Sequence, residues 1–399
     1  MNLKKNDNLG FWSSTSLVVG NMIGSGIFLL PASLALYGLV SILGWVFSSI
    51  GAILLAIVFG ELSKIYNKDP GGPYKFTRNV FGEFPAFLVA WGYWISIWST
   101  NTAIVVAFLG YLSVFIPSLN TSPLYSIIIG LFTIWTLTWI NSKEIKTIGY
   151  VQKITVVLKV IPIILVGIIG IFFIDLNNFY SLEIGNEFNF NSITVTTTLT
   201  FFAFLGMESA TIPSDKINKP NSIIKKATLY GTIFTIIIYI LSSISIMGII
   251  PPTTLAQSSA PFADAAEVIA GDYSRKVIAL GAIIATIGAL NGWILIQGQI
   301  PMAASKDKLF PKFFSKTNNN KSPVFGIILS SLLISILLLF SYSKTLVEAF
   351  TFMIKLSTLS VITPYLFSTA SLAVLSKRKF YRLFISFLAF IFSIWIIIG

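Results

Sequence analysis

The chain has 399 residues, of which 55% are hydrophobic and only 11% charged, with a net charge of +12; a soluble domain carries about a quarter of its residues as charges. It contains no cysteine and no histidine, which excludes disulfides, thiolate chemistry, Ser-His-Asp catalysis and histidine-based metal sites. Its lysines and arginines lie in alternate loops between long apolar runs rather than in one basic patch, which is the pattern of a polytopic helical membrane protein and not of a nucleic-acid binder.

The opening MNLKKNDN is basic and short, but no small-residue cleavage site follows a short apolar core, so the first run is expected to be a retained helix near 11–32. Its middle reads GNMIGSGIFLLP, from Gly20 to Pro31. Gly24, Ser25 and Gly26 weaken a helix where no water can replace lost hydrogen bonds. Further spans are predicted near 39–62, 84–116, 124–141, 150–174, 192–213, 226–250, 275–304, 323–342, 346–375 and 382–398, eleven in all. One set of loops carries Lys4 and Lys5; Lys64, Lys68, Lys75 and Arg78; Lys143 and Lys146; Lys216, Lys219, Lys225 and Lys226; Lys306, Lys308, Lys312, Lys316 and Lys321; and Lys377, Arg378, Lys379 and Arg382. The other set carries mainly Asp175, Glu183, Glu187, Asp264, Glu267 and Asp272. The alternation puts the N-terminus in the cytoplasm and, with eleven spans, the C-terminus outside. The chain stops after FSIWIIIG without a polar tail, as if a twelfth-helix region were truncated or degenerate.

The sixth span holds a second interruption, Gly206 beside a charge in FFAFLGMESA. Interrupted helices five spans apart run in opposite directions, the pattern of an inverted-repeat secondary transporter with its site at the membrane midplane. An interrupted helix frees backbone N–H groups at the start of its second half and C=O groups at the end of its first, and the freed ends carry partial positive and negative charge. The amides of Ser25, Gly26 and Ile27 would face a carboxylate. The carbonyls near Met22 and Ile23, and from Ala203 to Leu205, would face an amine. The alternative is that the glycines only let helices pack closely.

Lys159, Glu208 and Lys355 lie deep in spans, where ionisable groups are costly and point to function. Glu208 would sense or carry a proton, or else pair with Lys159 or Lys355 and tie helices together. Lys159 would supply a fixed positive charge. Lys355 and Ser357 lie about 200° apart on an ideal helix, so they should face different surroundings. Trp293, in GALNGWILIQGQ, is either a cation–π platform or an ordinary packed ring.

The motifs GNMIGSGIFLLPA, DPGGPY, YWISIWSTN, FLGMESA, LNGWILIQGQ, AASKDKLFPKFF and PYLFSTASLAVL resemble, in order and over nearly the whole chain, those of the amino acid–polyamine–organocation (APC) transporters, and most of all the basic amino acid/polyamine antiporters. The resemblance implies an all-α polytopic membrane protein with a leucine-transporter-like fold: a single transporter domain over 1–399, with inverted five-helix repeats near 11–174 and 192–375 whose helices 1 and 6 are broken, and an extra helix at 382–398. It implies that Ser25 and Gly26 hold the substrate carboxylate, that Ile23 offers a carbonyl, and that Asn101 and Ser357 contact the substrate side chain. Trp293 would stack on a guanidinium and gate the path, Glu208 would act in pH sensing, and Tyr93 and Tyr365 match gating tyrosines. Where the antiporters have Trp then Ser before the sixth-span break, this chain has Phe202 and Ala203; a Phe can close a lid but has no indole N–H. Lys159 resembles the fifth-span lysine of sodium-independent APC relatives, at the place where sodium-coupled members bind their ion.

The function expected is sodium-independent exchange of a basic, arginine-like amino acid for its decarboxylated amine or another amino acid, by alternating access in a bacterial inner membrane. A proton-coupled symporter of neutral amino acids and a transport-dead receptor or scaffold are the alternatives. The expected partners are small amino acids or amines, the lipid bilayer and a second copy in a homodimer; no nucleic acid, cofactor, metal or enzymatic activity is expected.

Overall fold

The computed structural model describes residues 9–66, 71–143, 148–179, 189–212, 214, 217, 219–320, 322–341, 343–376 and 379–399. Lys4, Lys5, Lys68, Lys146, Glu183, Glu187, Lys216, Lys321, Lys377 and Arg378 of the loop-charge pattern lie outside the described residues. The first predicted span is two half-helices, α1 (Phe11–Met22) and α2 (Ser25–Leu34). There follow α3 (Val40–Ile65), α4 (Pro73–Phe81), α5 (Glu83–Leu112), the single turn α6 (Ser118–Thr121), α7 (Pro123–Lys143) and α8 (Ile148–Gly170). The sixth span begins with α9 (Phe190–Phe201) and continues as two short 3₁₀ turns to Thr211. The rest comprises α10 (Pro220–Ile249), the turn α11 (Pro252–Leu255), α12 (Pro261–Ala270), α13 (Asp272–Lys306), α14 (Val324–Phe340), α15 (Leu346–Leu375) and α16 (Phe380–Ile398).

Among the described residues, nine helical segments are long and apolar enough to cross a membrane. Two shorter apolar helices, Lys159–Phe173 and Val324–Phe340, fall on the fifth and ninth predicted spans. The sequence pattern did not single out α4 and α12 as helices. Both lie between spans, and both carry local start and stop signals: Pro73 and Pro261 at their first positions and Gly82 and Gly271 just past their ends.

α5 and α15 pack against each other so closely that a Cβ on Gly92 would stand 2.7 Å from the Ser360 carbonyl; small residues permit such approach in membranes. Aromatic rings such as Phe132, Phe172 and Phe380 are more than two-thirds exposed, as a lipid-facing surface requires. α16 docks on α3 and α9: the Trp395 indole donates to Thr194 Oγ1 at 2.8 Å, and Arg382 lies 2.5 Å from Glu61. Glu61 also receives Lys225 of α10 at 2.5 Å.

The two ends of α13 lie at opposite ends of the bundle, and each is tied by charge. Past its C-terminus, Asp307 pairs with Lys75 at 2.6 Å and Arg78 at 3.2 Å and accepts the Tyr74 hydroxyl at 3.0 Å, fastening α4 to α13. Near its N-terminus, Arg275 bridges Asp264 at 3.1 Å and Glu267 at 3.0 Å on α12.

Candidate substrate site

At the first break the chain leaves helical geometry at Ile23 (ψ 86°) and Gly24 (φ −128°, ψ −134°). The Gly24 amide turns back to the Met22 carbonyl at 2.9 Å, so Gly20 loses the donor that a continuous helix would give it. Lys159, buried on α8, donates its ammonium to that Gly20 carbonyl at 3.2 Å. A cation at a half-helix C-terminus is favourable, because the freed carbonyls are its negative end. The Met22 carbonyl was expected to face an amine; it instead accepts the Tyr239 hydroxyl at 2.7 Å as well as the Gly24 amide. At the start of α2 the N-cap is Gly24, which makes no side-chain cap to the first amides, those of Ser25, Gly26 and Ile27. The Ser25 side chain lies outside the described residues, and Ile23 is fully buried at the break.

At the second break, a 3₁₀ turn over Phe202–Phe204 leads to extended Leu205 and left-handed Gly206 (φ +100°), after which Met207–Thr211 form another turn. Only glycine takes that φ at no steric cost. The two breaks touch. A Cβ on Gly26 would stand 3.0 Å from Ala203 Cα, and one on Gly206 would stand 3.2 Å from Asn21.

Between them lies a cavity of about 10 Å³, room for about one water. Gly26, Phe202, Leu205 and Trp293 line it, together with Asn21, Met22, Gly24, Thr100 and Ile104. Ala203 stands behind it against Gly26. Asn101 and Ser357 are not among the lining residues. Asn101 donates its amide to Gln297 at 2.6 Å, and its Oδ1 is buried with no hydrogen-bond partner among the described residues. Ser357 lies behind Thr100: it donates to the Ser96 carbonyl at 2.9 Å and so accepts the Thr100 hydroxyl at 2.7 Å. Asn21 and Thr100 are the polar lining residues that sequence reasoning missed; Thr100 left a signal. Its signal was the i, i+4 spacing to Ile104, which puts both on one face of α5, with Asn101 about 100° further round.

Glu208 is fully buried and accepts the Tyr93 hydroxyl at 2.7 Å and the Tyr365 hydroxyl at 2.9 Å, one on each oxygen. Neither lysine considered as its partner pairs with it: Lys159 is on Gly20, and Lys355 lines a wide vestibule of about 1010 Å³ with Tyr37, Gln257 and Glu348. That vestibule opens at the end of the bundle that holds the N-terminus of α15. Lys355 and Ser357 thus lie in different surroundings, as their angular separation requires.

The sequence pattern of the amino acid permease family matches residues 9–399. The chain belongs to the amino acid permease family. The permease is 31% identical, over 93% of its own length and 85% of the relative's, to a putative arginine/ornithine antiporter of Bacillus subtilis. It is 32% identical to a putrescine transporter of Haemophilus influenzae, over 94% and 86% of the two chains. It is 30% identical to a cadaverine/lysine antiporter of Escherichia coli, over 98% and 89%. The resemblance to the basic amino acid/polyamine antiporters and the all-α transporter fold read from the motifs therefore both hold.

Proposed function

We propose that the permease is a sodium-independent antiporter that exchanges a basic amino acid for its decarboxylated amine or for another amino acid. The observation that carries this reading is the meeting of the two helix breaks at one small cavity that Phe202 and Trp293 help to line. Uncapped amides at the start of α2 suit a carboxylate. The Trp293 face suits a guanidinium or ammonium, and Thr100 offers a hydroxyl beside it. The Lys159 amino group, held on the freed Gly20 carbonyl, takes an oxygen that an exchangeable cation would use and supports independence from sodium. Lys355, out in the vestibule, does not oppose a cationic substrate at the cavity. The names of the relatives support the same substrate class.

Alternating access then consists of opening and closing around inverted repeats near 11–174 and 192–375, with the Tyr93–Glu208–Tyr365 bridge among the contacts that change and Glu208 as the pH-responsive group. By the loop charges, the N-terminus and the Asp307 cluster face the cytoplasm and the wide vestibule faces outward. A bacterial inner membrane and a homodimer are proposed on the family resemblance alone.

The test is uptake of labelled arginine, ornithine and lysine into proteoliposomes loaded with amino acid, with amine, or with buffer alone. Exchange predicts uptake only into loaded vesicles, indifferent to sodium. Uptake into empty vesicles driven by a proton gradient would replace antiport with symport.

A further inference from the structure

The vestibule holds a charge arrangement that the exchange reading does not use. Among its lining residues Lys355 is the one cation and Glu348 the one carboxylate. Glu348 keeps its negative charge at the rim and caps α15: its Oε2 accepts the Thr345 backbone amide at 2.9 Å, and its own amide donates to Thr345 Oγ1 at 3.2 Å. Lys355 makes no ion pair among the described residues. Two other cations stand near this mouth without lining the vestibule. Arg275 lies between Asp264 and Glu267 beside an adjoining pocket of about 610 Å³, and Lys344 stands 5.9 Å from the Phe352 ring centroid. Lys355 is therefore the one cation lining the vestibule, unpaired among the described residues and about 10 Å deeper along α15 than the Glu348 carboxylate.

Its position lies on the way in. Ala32 and Ser33, in the last turn of α2, line the vestibule, while Gly26, in the first turn, lines the small cavity. The two spaces are thus joined by one short helix, about 10 Å apart along its axis. Ser33 is hydrogen-bonded to Thr351 at 2.8 Å, one turn of α15 from Lys355, so α2 and α15 are clasped beside the lysine.

We infer that Lys355 is a specificity-determining residue of the outer vestibule: its ammonium draws in the carboxylate of an approaching amino acid and holds back amines that carry none. This rests on the exchange reading above. A basic amino acid brings two cationic groups and a carboxylate, net +1. The decarboxylated amine brings the two cations alone, net +2. Lys355 repels the amine about twice as strongly and attracts one end of the amino acid. In a water-filled funnel each charge is worth a factor of about three to ten in affinity. The exchanger loads amino acid from outside, and the amine that it releases there does not compete for return.

The experiment measures external KM for lysine, ornithine and arginine, and external inhibition by cadaverine, putrescine and agmatine, with proteoliposomes that contain the full chain and a labelled amino acid inside. Lys355→Gln and Lys355→Arg are compared with the wild type at low and high salt. The expected result is that Lys355→Gln strengthens external amine inhibition about threefold to tenfold and raises the amino acid KM, while Lys355→Arg keeps the wild-type ratio. High salt should compress the wild-type ratio in the same direction, a readout that stands even if Lys355→Gln fails to fold. A ratio that neither salt nor Lys355→Gln moves overturns the inference while leaving exchange intact. A wild type that exchanges no basic amino acid overturns the exchange reading and this inference with it.

Discussion

Gly26→Ala adds one methyl group where the two helix breaks touch. The new Cβ would stand 3.0 Å from Ala203 Cα, 3.3 Å from Ala203 Cβ and 3.4 Å from Phe202 Cδ1. Carbon atoms pack best at roughly 3.5–4.0 Å, so the closest approach is short by about half an ångström. The obstacle is backbone, which cannot rotate away as a side-chain tip would. Overpacking of this kind costs about 1–3 kcal/mol, and a single methyl group belongs near the lower end, about 1–2 kcal/mol. Because 1.4 kcal/mol is a factor of ten, that is about a fivefold to thirtyfold loss of the state in which the breaks close on each other. If closure around the substrate requires that contact, the KM for exchange should rise by this factor. The assay is counterflow of a labelled basic amino acid into proteoliposomes, normalised to reconstituted protein. Gly10→Ala is the control, since a Cβ there meets nothing within 4 Å. Adding Ala203→Gly should recover part of the loss, because it removes the contact with Ala203 Cβ but leaves the one with Cα. A Gly26→Ala protein that folds and exchanges with unchanged KM would refute the idea that these breaks close on the substrate.

Tyr365→Phe and Tyr93→Phe each remove one donor from buried Glu208, and leaving a buried polar group short of a partner costs about 1–3 kcal/mol. Each should lower the melting temperature in detergent, the pair should not be additive, and Glu208→Gln should flatten the pH profile of exchange; an additive pair or an unaltered profile counts against a shared bridge. Asp307→Asn loosens α4 from α13 by weakening the pairs with Lys75 and Arg78. With no native cysteine in the chain, a single cysteine introduced at Thr100 should react faster with a thiol reagent applied from the cytoplasmic side in that variant. Outside the spans, burial outweighs the Ser258 hydrogen bond and the Arg275 guanidinium and holds the Asp264 carboxyl above the usual aspartate range. The folded chain therefore binds that proton more tightly than the unfolded chain, so Asp264 contributes stability below the ordinary aspartate pKa that is lost as pH rises through the raised value. Asp264→Asn should remove that component from a plot of melting temperature against pH.

Much of the architecture was legible without coordinates because its causes are local. An apolar run long enough to span a bilayer must be helical, since lipid offers nothing else to bond the backbone. A Gly-Ser-Gly triplet weakens such a helix wherever the chain goes, so the break at Gly24 and the turn at Gly206 could be read from the residues themselves. The motifs around them also carried the family. The neighbours of each polar group depend instead on how each helix is rotated about its axis and on what packs beside it, and hydrophobic spacing within one segment does not encode that. For this reason the family resemblance pointed to Asn101, yet Thr100, one position earlier, lines the cavity. The same limit applies to the three intramembrane charges. Each was visible as a cost that needed a partner, but only the packing of α8 against α1 gives Lys159 to Gly20, and only the approach of α5 and α15 gives Glu208 its two tyrosines. Lys355 lines a vestibule between α2, α11 and α15 and meets no counter-ion among the described residues, an outcome of packing that its own segment does not encode.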